Sequence, residues 1–140
     1  MPPVIIGAFL IAHGLITTAI GFGAVTNPNG QAMSLPTWFS WWPGPFGTSW
    51  LFEALHLGAT AAVVGGVVWL ASGVLLIAGA LGWVGLGVLE PMRVQLLIGG
   101  AAIGLLALAL YFHPIYLLSV LINVAIVAVL WGRLVQAAVS

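Results

Sequence analysis

The sequence predicts an all-α integral membrane protein: one four-helix bundle with a Trp/Pro-rich outer segment containing a short interfacial or re-entrant helix. Three observations predict it. Of 140 residues, 63% are hydrophobic and only Glu53, Glu90, Arg93 and Arg133 are charged, whereas a water-facing domain carries about 25% charged residues. Mean hydropathy is +1.27. The apolar residues fall into four runs of about 20, the length that crosses a bilayer, separated by clusters of Pro, Gly, Asn and charge. The whole chain, 1–140, reads as a single transmembrane domain.

The first span runs from about 4 to 24 and stops at Thr26-Asn27-Pro28-Asn29-Gly30, where turn residues replace apolar continuity. Met1-Pro2-Pro3 lacks the basic start of a signal peptide, so this segment reads as a permanent helix. The outer segment, 25–61, holds Trp38, Trp41, Trp42, Pro43, Pro45 and Trp50. Clustered indoles favour the headgroup layer, with the ring buried and the N–H wet, which predicts a loop folded onto the membrane surface. Its last stretch, Trp50 to about Thr60, reads as a short interfacial or re-entrant helix.

The second span covers about 62–83. A chain reversal at Gly65-Gly66 would instead give five spans, but it would leave Val63, Val64, Val67 and Val68 in the polar layer with no Asn, Asp, Ser or charge beside them. Glu90-Pro91 and Arg93 make the next break. The third span is about 94–112, and His113-Pro114 marks a tight reversal because the residue before proline avoids the helical region. The fourth span is about 115–134. Arg93 and Arg133 then fall on one side, which the positive-inside rule assigns to the cytoplasm. That predicts a cytoplasmic-membrane protein with both termini inside, and with Glu53, His56 and His113 on the outer face.

This composition excludes several functions. Zero net charge and no basic run leave no electrostatic footprint for nucleic acid. Cysteine is absent, so disulfides, thiolate metal sites and cysteine nucleophiles are ruled out. No phosphate loop, nucleotide fingerprint or Ser-His-acid set is present.

Helices in lipid associate through close packing, and small residues mark their contact faces. Gly7, Gly14 and Gly21 recur every seventh residue in the first span, drifting only about 20° per repeat. Gly66, Gly73 and Ala80 do so in the second, beside Gly65, Ser72 and Gly79, while Gly100 and Gly104 form a GxxxG pair in the third. These stripes predict a closely packed bundle.

Polar residues inside the membrane are the functional candidates. His13 lies near the middle of the first span with Thr17 one turn on, and Asn123, with Ser119 on its face of the fourth span, is the evident partner. The imidazole reads either as a neutral contact between helices or as a ligand or proton-handling group. Glu53 and His56 stand at i, i+3, the spacing used by di-metal carboxylate bundles, but a second such pair is missing. A mononuclear metal site from Glu53, His56 and His113, with or without His13, would suit zinc, iron or copper. Haem or a chlorophyll-type pigment could use a single histidine, and bis-histidine haem would need His13 and His113, which differ in depth by most of a leaflet. The sequence requires no cofactor.

Ala12-His13-Gly14-Leu15 running into Gly21-Phe22-Gly23, the stretch Ala71-Ser72-Gly73-Val74-Leu75-Leu76-Ile77-Ala78-Gly79, and the four-span layout resemble the DoxX-like family of small membrane proteins. The resemblance covers most of the chain in layout, and the first-span motif is its specific part. It implies an accessory subunit near quinone chemistry, since named members are small subunits of a quinone-linked terminal oxidase or of a thiosulfate:quinone oxidoreductase. Only His13 matches a motif position. The chain departs from the pattern in its long Trp/Pro-rich segment and in having Glu53 ahead of the second span. Sterol-isomerase-like four-span proteins also pair His with Glu in the membrane, but their order and aromatic fourth span are not matched.

The leading expectation is a non-catalytic accessory or structural subunit of a larger membrane complex, contacting lipid and either other subunits or copies of itself. The alternatives are a small redox, quinone- or pigment-binding protein using His13 and His56, and a small transporter or lipid-handling protein. The last predicts a polar path, for which His13 and Asn123 are few.

Overall fold

The computed structural model describes residues 2–29, 37, 41 and 49–139, with backbone alone at Glu53 and at 137–139. Most of the Trp/Pro-rich segment, including Trp38, Trp42, Pro43 and Pro45, lies outside the described residues. The elements are α1 (Pro3–Thr26), the short α2 (Trp50–Ala54), α3 (Ala59–Trp83), α4 (Arg93–Leu110) and α5 (Leu117–Val139), with 3₁₀ turns at Glu90–Met92 and Pro114–Tyr116. Four helices are long and apolar enough to cross a membrane, and no strand occurs among the described residues.

Each boundary has a local cause. Pro3 opens α1 at the first helical position, where a missing N–H costs nothing, and Pro28 follows its end at Asn27. Helix α2 stops at Ala54, and the chain crosses 55–58 with His56 at φ 54° and Gly58 at φ 49°. This left-handed turn suits Gly58 and strains His56. It also corrects the expected helix over 50–60: His56 lies outside α2, so Glu53 and His56 do not share a helix face. Helix α3 then passes through Gly65-Gly66 without interruption.

Helix α4 ends at Leu110, two residues before the expected limit, because His113 is extended (φ −145°, ψ 143°) ahead of Pro114 and its Nδ1 accepts the Ile115 N–H. Helix α5 continues to Val139, with the stretch apolar enough to cross a membrane running over Pro114–Gln136. A charge such as Arg133 does not by itself break a helix, and no proline lies in 134–139.

Antiparallel α3 is the central helix, with α1 on one face and α4 on the other. Gly7 faces Ala80 and Val84, Gly14 faces Gly73 and Ile77, and Gly21 faces Gly66 and Leu70. On the opposite side Gly65 meets Tyr111, Gly79 meets Leu97, and Gly100 meets Ser72 and Leu76. A methyl on Gly21 would fall 2.6 Å from the Gly66 carbonyl oxygen, so side-chain-free backbones are what bring α1 and α3 together.

Helix α5 packs on α4 and reaches α1 and α3 through long side chains: Leu10, Leu76, Ala80, Leu97, Ala101, Ile126 and Leu130 form one core. A second core joins Trp69, Ala107, Leu108 and Tyr116. The outside is as apolar as the inside. Ile16 is 62% exposed and Leu118 68%, a surface that only a hydrocarbon solvent tolerates.

Candidate functional site

Between the two apolar cores lies a polar layer contributed by three helices. His13 on α1, Ser72 on α3 and Asn123 on α5 are all buried. His13 Nε2 lies 3.2 Å from Asn123 Oδ1, and because that oxygen only accepts, the imidazole donates. Ser72 Oγ donates to the Gly100 carbonyl at 2.8 Å, tying α3 to α4.

Helix α4 contributes an absence of side chain. A methyl on Gly104 would stand 2.8 Å from Ser72 Oγ and 3.0 Å from Asn123 Nδ2. The second glycine of the GxxxG pair therefore leaves the space in which two polar side chains approach from opposite helices. The first, Gly100, supplies the carbonyl that Ser72 uses.

Thr17 is buried beside His13, yet its hydroxyl donates to the His13 carbonyl at 2.8 Å within α1. Thr18 does the same to Gly14 at 2.8 Å. Such back-bonding satisfies a hydroxyl in lipid without a partner helix. Ser119 is half-buried one turn before Asn123. Among the described residues, no fully buried side-chain nitrogen or oxygen lacks a hydrogen-bond partner.

Of the remaining candidates, His56 and His113 lie at the end of the bundle where α3 begins and α4 ends. His56 is exposed in the 55–58 turn, His113 is buried at the start of the 114–116 turn, and the Glu53 side chain is outside the described residues. No three metal-ligating side chains gather among the described residues. A haem, pigment or metal taking His13 Nε2 as its ligand would have to displace Asn123.

An aromatic layer covers this end of the bundle. Trp50 Nε1 donates to the Ala109 carbonyl at 2.6 Å, Tyr111 donates to the Ala61 carbonyl, and Phe52 meets the Tyr111 ring edge-on at 6.2 Å. Burial pushes the Tyr111 hydroxyl pKa up, and the Gly65 backbone partly opposes that shift. Trp69 and Tyr116 meet in a tilted ring contact at 5.6 Å deeper in the bundle.

Two features were not evident in the sequence. Ser72 reads as one more small residue in a stripe, and only the neighbouring helix reveals its hydrogen bond. The indole of Trp83 carries two guanidiniums, Arg93 at 5.9 Å and Arg133 at 5.7 Å from its ring centre. Forty residues separate those arginines in sequence, so no local pattern marks the cluster.

No protein-family model matches the chain, and no curated protein or solved structure matches it either.

Proposed function

We propose that the protein is a non-catalytic helical subunit of a larger membrane complex. One observation carries this reading: the buried polar groups of the membrane layer make their hydrogen bonds within the chain, His13 to Asn123, Ser72 to Gly100, and Thr17 and Thr18 to their own helix. Groups used this way hold helices together and leave little chemistry for a substrate. The apolar face of α5, with Leu118, Leu121 and Val129 exposed, is the surface offered to lipid or to further chains. The first-span resemblance to DoxX-like proteins supports quinone-linked electron transfer as the setting of the complex.

Purification from the native membrane in mild detergent, followed by mass spectrometry of the intact particle, tests the proposal. Stoichiometric partner chains, or several copies of this one, are expected. A monodisperse single chain from its own host would overturn the reading.

The positive-inside rule supports a cytoplasmic location for the end bearing Arg93 and Arg133, and hence for both termini. The chain has no native cysteine, so Gly87→Cys and Asn29→Cys give clean probes. An impermeant maleimide applied to intact cells should label Asn29→Cys and spare Gly87→Cys. The opposite pattern would reverse the orientation.

A further inference from the structure

We propose that the Arg93–Trp83–Arg133 cluster binds the phosphate of an anionic phospholipid. These are the only two Lys or Arg residues in the chain, and helices α4 and α5 bring both to one indole at the end of α3.

Charge balance singles the place out. Glu90 pairs with Arg93 at 3.1 Å and leaves the Arg93 side chain 40% exposed. Arg133 is exposed, and no carboxylate among the described residues lies within salt-bridge distance of it. The cluster therefore carries a surplus positive charge, whereas the rest of the described surface is apolar or neutral. Both guanidiniums lie over the Trp83 ring, at 5.9 and 5.7 Å from its centre, and two arginines held at one place suit the oxygens of a phosphate.

Depth identifies the anion. Arg93 opens α4, whose 18 residues rise about 27 Å, close to the thickness of the hydrocarbon layer. Arg133 lies 16 residues into α5, about 24 Å along it. Both charges thus reach the level of the lipid phosphates on one side, where an indole also prefers to lie. An open depression of about 360 Å³ lined by Gly87, Glu90, Pro91, Arg93 and Val94 adjoins the cluster and gives a headgroup room. Lipid phosphate and free phosphate share the recognising chemistry; the apolar helix surface beside the cluster favours the lipid, whose acyl chains it also solvates.

The experiment is native mass spectrometry of the protein in neutral detergent, titrated in parallel with phosphatidylglycerol, with phosphatidylcholine of the same acyl chains, and with inorganic phosphate. Phosphatidylglycerol is expected to be retained in preference to phosphatidylcholine. Arg133→Gln and Arg93→Gln should each lower that retention about five-fold, the effect of one arginine at an anionic surface, while Glu90→Gln should not lower it. Arg133→Lys keeps the charge without the planar fork and should fall between wild type and Arg133→Gln; it carries the test if the Gln variant loses its helical circular dichroism. Equal retention of both lipids, or unchanged phosphatidylglycerol retention in the arginine variants, would overturn the proposal. Displacement of phosphatidylglycerol by equimolar inorganic phosphate would overturn the lipid as the source of the phosphate.

Discussion

His13 and Asn123 stand 110 positions apart in the chain, and the imidazole Nε2 lies 3.2 Å from the carboxamide Oδ1, joining the first membrane helix to the last. Few backbone contacts close the bundle between α1 and α5, so this bond and the long apolar side chains around it hold the two together. In hydrocarbon no water replaces a lost partner.

The strength of that bond can be measured with His13→Leu, Asn123→Leu and the double variant. Intramembrane hydrogen bonds average about 0.6 kcal/mol and reach about 1.7 kcal/mol in double-mutant cycles, so a coupling of about 0.5–1.5 kcal/mol is expected. Reversible unfolding in mixed micelles gives the four stabilities. A coupling of zero would mean that each group finds another partner when the first is removed.

Glycines on the two sides of α1 should respond oppositely to the same methyl group. Gly21→Ala places a Cβ against the Gly66 carbonyl and the Leu70 backbone and should destabilise by about 1–3 kcal/mol, the usual cost of overpacking. Gly23 has nothing within 4 Å of its would-be Cβ, so Gly23→Ala should be neutral or gain up to about 1 kcal/mol from helix propensity. The same unfolding assay separates them, and equal effects would contradict the α1–α3 register.

Tyr111 should make stability fall in alkali. Burial raises its pKa above the ordinary value of 10.0, so below pH 10 the phenol is neutral in both folded and unfolded chains and contributes no pH dependence. Above that the unfolded chain ionises first and gains, and folding weakens until the folded-state phenol also ionises. Tyr111→Phe should lessen this alkaline slope. At neutral pH it should cost about 1 kcal/mol for the lost bond to the Ala61 carbonyl. An alkaline slope unchanged in Tyr111→Phe would show that Tyr111 contributes nothing to it.

Trp50 anchors α2 to the end of α4 through its bond to Ala109. Trp50→Phe keeps an aromatic ring and removes the N–H. Amide exchange over 50–57 should then quicken, while exchange in the middle of α3 and α4 stays as it is. Faster exchange throughout would show that α2 belongs to the main cooperative unit.

Periodicity and composition made much of this architecture legible before any coordinates. Runs of apolar residues specify spans because the hydrocarbon layer has a fixed thickness, and glycines at seven-residue spacing mark a face because helical geometry is local. His13 and Asn123 were legible as polar residues in apolar spans. Other readings depended on chain geometry that composition does not encode. The helical spacing of Glu53 and His56 assumed that α2 would continue, and the left-handed turn at His56 and Gly58 ended it.

By itself, then, the sequence determined the solvent, the four spans and the small-residue faces, because each depends on residues close together along one helix. Tertiary structure decided which faces meet. It made α3 the central helix, used Gly104 to admit Ser72 and Asn123, and brought Arg93 and Arg133 onto Trp83. Those pairings join residues tens of positions apart, and they depend on how closely neighbouring backbones approach and on which polar groups find partners away from water.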